Sequence, residues 1–347
     1  MLFSFIVPVY NTSKYIDQCM QSLLRQKGAD YEILLIDDGS TDTSGEICDS
    51  YALNHPDTVR VIHKKNEGPF LTRRLGFFES KGDWIVCVDS DDYIDDDYLF
   101  TISSVIEKSD CDVVMYNYCY FDDNAKISRS NLQINDNTVF DQNTKIQLYK
   151  MRLLSNEINM MWLRVIKRSL IDFGGDYSKT SIRNLCDDAV QILPILTKSQ
   201  RTIYIDKSLY YYRKGHEGSI TSLPSFDNWK SIFESFLITE EYLDIWKIES
   251  DLRSQFYTKT IEELSNFLRW VVTVDQTDLP KALSELIHDI HMNPAFDRCM
   301  KMYNGTYSST SYLKFSVPRI MKYVKKEDVK GMKKYLAFEK KVLSVIK

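Results

Sequence analysis

Two acidic clusters in the first third of the chain have residue types and spacing suited to chemistry. Asp89-Ser90-Asp91-Asp92 places carboxylates at i and i+2 directly after the apolar run Trp84 to Val88. Beyond a strand end, such a pair can approach one hard cation. Mg2+ or Mn2+ accepts one or two protein carboxylates while diphosphate oxygens and water complete its shell. A cation held there neutralises the charge developing on a departing nucleoside diphosphate; the alternative is a solvated acidic turn. An EF-hand is excluded, because its sixth loop position is Ile94 and not Gly. Asp37-Asp38-Gly39-Ser40 also closes an apolar run. Carboxylates there can accept hydrogen bonds from a base N–H or a ribose hydroxyl, or can serve as a helix cap and turn. No Gly-x-Gly-x-x-Gly and no P-loop pattern occurs, so dehydrogenase and P-loop readings lack their phosphate cradle.

The elements that must position these clusters alternate in type. Phe3 to Val9 predicts a strand, which stops at the polar turn Tyr10-Asn11-Thr12-Ser13; Ile16, Cys19, Met20, Leu23 and Leu24 then recur at helical spacing. Glu32 to Ile36 predicts a second strand, followed by a helix carrying Ile47, Tyr51 and Leu53. Val59 to His63 is a third, before a helix opened by Pro69. Trp84 to Val88 is a fourth, and a helix from Asp96 to Lys108 leads to a fifth at Val113 to Tyr118. This alternation predicts an α/β fold with a mostly parallel sheet and right-handed crossovers. Ligands bind beyond the carboxyl ends of such strands, where Tyr10-Asn11, Asp37-Asp38 and Asp89 to Asp92 all fall. Residues 124 to 143 read as a polar loop or hairpin excursion. Ile146 to Leu154 and Asp187 to Leu196 read as helices, and Ile203 to Tyr212 as a strand. Beyond Ser225 the pattern is helical, through Trp229 to Trp246, Leu252 to Val272 and Pro280 to His291. A catalytic domain over residues 1–222 and a helical domain over 223–347 are expected.

Bulk composition narrows the function classes. At 347 residues, 44% hydrophobic and 27% charged, the chain is that of an ordinary folded protein. Seven cysteines are scattered singly, without zinc or disulfide spacing. No apolar run reaches the roughly 18 residues of a membrane span, and the first residues lack a basic leader, so a cytoplasmic location is expected. The net charge of −5 hides an asymmetry: Lys314 to Lys347 holds eleven Lys and Arg against three Asp and Glu. The acidic remainder argues against nucleic-acid binding. In the basic tail, Val317, Ile320, Met321 and Val324 form an apolar face and Lys322, Lys325 and Lys326 a basic one. That suits peripheral contact with the inner face of a membrane, a helical cap or a dimer contact.

The ordered motifs resemble the family 2 glycosyltransferases of the GT-A fold, the type that builds bacterial capsules, exopolysaccharides and glycoproteins. The resemblance rests on Val7-Pro8-Val9-Tyr10-Asn11, Asp37 to Asp42, Asn66 with Gly68-Pro69, Arg73 with Gly76, and Asp89-Ser90-Asp91-Asp92-Tyr93. It covers roughly residues 3 to 220. It implies that Pro8, Tyr10, Asn11, Asp37 and Asp38 line a nucleotide pocket, usually for uridine, with Arg73 near the diphosphate. Asp89 and Ser90 would face the ribose and donor sugar, and Asp91 would ligate Mn2+ or Mg2+. Thr72-Arg73-Arg74 departs from the family's Ala-Arg-Asn and leaves donor choice open. Cys186-Asp187-Asp188-Ala189-Val190 matches the family's acidic pair at a helix start. Asp188 is thereby implied as the base that deprotonates an acceptor hydroxyl, with inversion at the sugar. Asp187 and Trp162, beside Met160 and Met161, would border the acceptor. His216 is a second metal candidate, although a lone histidine is more commonly structural. The expected substrates are a UDP-sugar and a glycan, lipid-linked or glycoprotein acceptor. A catalytically silent sugar- or nucleotide-binding subunit is the competing reading. Phosphatases of the haloacid dehalogenase type place their Asp-x-Asp after the first strand, not the fourth, and do not fit.

Overall fold

The first apolar run becomes β1 (Leu2–Val9), and Phe3, Phe5, Ile6, Val7 and Val9 within it are fully buried. Burial on both faces is what a parallel strand between helical layers requires. The computed structural model describes residues 1–122, 126–174, 182, 186–215, 226–273, 279–307 and 311–346. Contacts divide the chain into two units, Met1–Ser222 and Leu223–Lys347.

In the first unit β1 is followed by α1 (Ile16–Leu24), β2 (Asp30–Asp37), α2 (Ser44–Asn54), β3 (Val59–His63), α3 (Pro69–Glu79) and β4 (Trp84–Cys87). Next come β5 (Tyr93–Ile94), α4 (Tyr98–Lys108), β6 (Val113–Phe121), β7 (Ile127–Arg129), β8 (Thr138–Phe140) and α5 (Ile146–Leu154). The unit closes with β9 (Arg164–Lys167), α6 (Asp187–Lys198) and β10 (Thr202–Arg213). All ten strands form one sheet, ordered β3-β2-β1-β4-β9-β6-β10-β5, with β7 beside β6 and β8 beside β10.

β1, β2, β3, β4, β6 and β10 run one way, as the alternating pattern predicts; β5, β7, β8 and β9 run the other. Pairing register fixes the functional edge. Val9 lies opposite Asp37 and Asp37 opposite His63. Ile6 lies opposite Cys87, which puts the start of the Asp89 cluster level with the end of β1. Gly76 lets α3 lie directly on the sheet. A Cβ there would stand 2.3 Å from Ile6 Cγ2 and 2.8 Å from Ile36 Cδ1.

The structure adds elements that the sequence pattern leaves out. β9 inserts antiparallel between β4 and β6, so the fourth and fifth expected strands are not neighbours. The excursion at residues 124–143 supplies β7 and β8, and β6 continues to Phe121.

The second unit comprises α7 (Phe226–Ile245), α8 (Ser250–Thr273), α9 (Leu279–Met292), α10 (Pro294–Met302), α11 (Ser311–Lys325) and α12 (Val329–Ile346). Among the described residues no helix is long and apolar enough to cross a membrane. The expected amphipathic tail forms, but its apolar face is already covered. Val317, Ile320, Met321 and Val324 are each 0% exposed, because α11 packs on α8, α9 and α12. That face is used within the unit, as the helical-cap reading of the tail expects.

Candidate active site

Three loops at the carboxyl edge of the sheet are fastened to one another before any ligand is considered. Asn11 adopts a left-handed φ of 52°, which asparagine tolerates better than most residues. From there its side-chain oxygen accepts hydrogen bonds from the N–H groups of Thr41 at 2.8 Å and Asp42 at 3.3 Å. Thr12 Oγ1 donates to Ser90 Oγ at 3.0 Å, tying the first loop to the acidic cluster. Gly39, at φ 73°, brings its backbone against Asn66, where a Cβ would meet the amide nitrogen at 2.9 Å.

The two adjacent aspartates of β2 and its loop do different work. Asp38 borders the cleft and organises its wall, accepting from Gly68 N at 2.8 Å, Glu67 N at 2.9 Å and Lys64 Nζ at 2.6 Å. Asp37 is not among the lining residues. Its carboxylate accepts from Ser40 N at 2.9 Å and pairs with His63 Nδ1 at 2.9 Å, and these bonds outweigh the effect of burial and hold it below its usual range. Asp37 thus supports the loop, while Asp38 borders the cleft.

Arg73, on α3, is the electrostatic centre. It is 5% exposed and reaches three carboxylates: Asp89 Oδ1 at 2.7 Å from Nη2, Asp187 Oδ2 from Nη1, and Asp188 Oδ1 at 3.1 Å from Nη1. Burial opposes its charge, but Asp188, Asp89 and Asp187 together raise its pKa well above the ordinary value. Asp187 and Asp188 open α6, where two carboxylates suit the positive end of the helix dipole. Burial pushes the Asp188 carboxyl up to about 7 against the lowering effect of Arg73, with repulsion from Asp187 and Asp89 adding to the rise.

In the Asp89 cluster the carboxylates again separate by role. Asp92 is 1% exposed and serves the scaffold, accepting from the Tyr210 hydroxyl at 2.7 Å and from Arg213 N at 2.7 Å. The same hydroxyl accepts from Asp89 N at 3.0 Å. Arg213 also donates from Nε to the Asp91 carbonyl at 2.9 Å, so the end of β10 clamps the loop. Burial raises the pKa of Asp92, and repulsion from Asp91 and Asp89 raises it further. Asp89 is raised by burial and by Asp91, despite Arg73.

These groups border one cleft of about 640 Å3 within the first unit. Pro8, Tyr10, Asn11, Asp38, Arg73, Asp89, Ser90, Asp91, Trp162, Asp187 and Asp188 all line it. His216 lies outside the described residues. Arg74 is not a lining residue; its guanidinium donates to the Asp172 carbonyl.

Trp162 is only 3% exposed, with its ring stacked at 4.3 Å on Tyr210 and at 5.6 Å on Tyr212. It backs the wall and offers little face to a sugar. Tyr118, Tyr120 and Tyr212 also line the cleft beside Asp188, and the sequence reading did not single them out. Their signal was the alternation of tyrosines at i and i+2 along β6 and β10, which puts them on one face of the sheet.

Among the described residues no three His, Cys, Asp or Glu side chains are grouped to hold a metal ion. The chemistry of the cluster nonetheless fits a hard cation shared with a ligand. Asp89 and Asp91 both border the cleft, and burial, with crowding of negative charge adding to it, raises the pKa of Asp89 and Asp92. A divalent ion completed by phosphate oxygens would relieve that repulsion.

Residues 4–172 match the model of glycosyl transferase family 2. Glycosyltransferase GlyG of Streptococcus pneumoniae serotype 4 is 41% identical over 35% of this chain and 40% of its own length. The uncharacterized glycosyltransferase EpsJ of Bacillus subtilis is 31% identical over 64% of each chain. The matched segments thus span less than two thirds of these relatives. Among solved structures, S. aureus TarS 1-349 in complex with UDP-GlcNAc superposes with a TM-score of 0.66 at 20% identity, covering 98% of this chain and 92% of that one. The shared architecture is the GT-A fold.

Proposed function

We propose that the chain, whose residues 4–172 match the model of glycosyl transferase family 2, transfers a sugar from a nucleoside diphosphate donor to an acceptor hydroxyl in one inverting displacement. The observation that carries this reading is the Arg73 fan. One buried guanidinium joins Asp89, on the side of the cleft assigned to the donor, to Asp188, on the side assigned to the acceptor.

A carboxylate poised near pH 7 suits a general base, because it is ionised at neutral pH yet basic enough to take a hydroxyl proton in the transition state. Asp188 takes that proton as the acceptor oxygen attacks the anomeric carbon. Arg73 holds the Asp188 carboxylate in line, and the tied loops around Asn11 and Asp38 fix the nucleotide end, so that attack occurs from a preset distance. Asp91, with Asp89, would hold Mg2+ or Mn2+, which when bound supplies charge neutralisation to the leaving diphosphate. The UDP-GlcNAc bound by TarS supports a uridine donor. The tyrosine wall beside Asp188 supports a sugar-bearing acceptor, such as a growing glycan, a lipid-linked glycan or a glycoprotein.

The test is donor turnover with a panel of UDP- and GDP-sugars and Mn2+, with product configuration read by NMR. Inverted product is expected, and Asp188→Asn should lower turnover by about 10²–10⁴-fold while leaving UDP affinity nearly unchanged. A retained configuration would rule out Asp188 as a simple base. UDP binding without turnover of any donor would favour a silent binding subunit.

A further inference from the structure

The helices α11 and α12 present an outer face whose composition is unlike the rest of the protein. Both pack on α8 and α9 and on each other, with Val317, Ile320, Met321 and Val324 of α11 and Met332 and Leu336 of α12 turned inward and buried. Arg319 and Lys322 on the opposite side of α11, and Lys326 in the turn just after it, recur at intervals of three and four, and all three are exposed. Lys330, Lys334 and Phe338 recur at intervals of four on the outer side of α12, with Phe338 63% exposed. The two stripes adjoin. The Tyr323 and Tyr335 rings lie 5.9 Å apart, centroid to centroid.

The carboxylates nearby are engaged elsewhere. Glu339 is buried against Arg269 at 2.9 Å, Glu327 pairs with His288 at 3.2 Å, and Asp328 accepts from Gly331 N at 2.8 Å at the start of α12. Among the described residues Lys322, Lys326, Lys330 and Lys334 enter no ion pair. Among the described residues these four ammonium groups, on α11, α12 and the turn between them, pair with no carboxylate, and Phe338 is exposed beside them.

We propose that this face binds an anionic phospholipid surface. Lysine favours this partner, because an ammonium is attracted to headgroup phosphates as a point charge and needs no fixed hydrogen-bond geometry. Phe338 adds an apolar contact suited to the headgroup boundary. The contact is the reverse of the one the amphipathic pattern suggests, since the basic side meets the lipid and the apolar side stays in the protein. It does not depend on the reaction proposed above.

The test uses the full chain and co-sedimentation with vesicles of phosphatidylcholine, alone or with about a third phosphatidylglycerol, at about 0.05 M and about 0.5 M salt. Binding is expected only to the anionic vesicles and only at low salt. The variant K322E/K326E/K330E/K334E should bind on the order of a hundredfold more weakly or less, with circular dichroism confirming that it is folded. Phe338→Ser should weaken vesicle binding several-fold without altering charge. The proposal is overturned if the wild type ignores anionic vesicles, if the quadruple variant binds as the wild type does, or if the protein binds heparin but not vesicles.

Discussion

The proton affinity of Asp188 ties the chemistry of the cleft to the stability of the fold. Its ordinary pKa is 3.8, and burial pushes the folded value up to about 7. Between those values the native chain keeps a proton that the unfolded chain has released. The stabilisation from that proton is complete below the unfolded value and is lost as pH rises through the folded one. Three pH units at about 1.4 kcal/mol each give on the order of 4 kcal/mol by pH 8. Asp188→Asn keeps the shape but cannot ionise, and it leaves Arg73 paired with Asp89 and Asp187. The variant should match the wild type near pH 4 and exceed it by up to about 4 kcal/mol at pH 8, while losing its turnover. Urea titrations across that range, without nucleotide or divalent ions, read the difference directly. A gap that does not widen with pH, or an Asn variant weaker at pH 8, would refute the picture of a desolvated carboxylate and with it the case for a base near neutrality. The wild-type rate should show the matching acid limb, falling about tenfold per pH unit below about 7.

Tyr210→Phe removes the hydroxyl that joins Asp89 N to Asp92 Oδ2; leaving those buried groups short of a partner should lower stability by about 1–3 kcal/mol in urea melts. Gly76→Val drives a side chain into Ile6 and Ile36, and the midpoint of thermal unfolding should fall by an amount equivalent to about 1–3 kcal/mol or more. An unchanged midpoint would mean that α3 can lift from the sheet.

The strands that carry the site were legible because each is a short apolar run ending in polar residues, and because helices separate them. What escaped the sequence had weak local signals. β9 is four residues, Arg164–Lys167, whose strand character comes from being flanked by β4 and β6 and not from any periodicity of its own. β5 has two residues and exists only by pairing with Tyr210 and Tyr211 of β10. α10 did carry a signal, since Asn293 caps it and Pro294 stands in its first turn, but its nine residues are few for a periodic pattern. Within the cleft, residue type could not separate Asp37 from Asp38. That division depends on which loop each carboxylate reaches, and the loops come from distant parts of the chain. The burial of Trp162 was hidden for a similar reason, because the tyrosines that cover it lie on β10, well beyond it in sequence.

If the cleft binds substrate as proposed, the guanidinium shared by Asp89 and Asp188 makes that binding and the proton on Asp188 reciprocal. Whatever alters the hold of Asp89 on Arg73 changes how much of that positive charge Asp188 feels, and so changes its proton affinity. By linkage, protonating Asp188 must alter affinity at the Asp89 side by the same factor. A ligand that draws Arg73 toward Asp89 would raise the proton affinity of Asp188, so its binding near pH 7 should carry uptake of a proton.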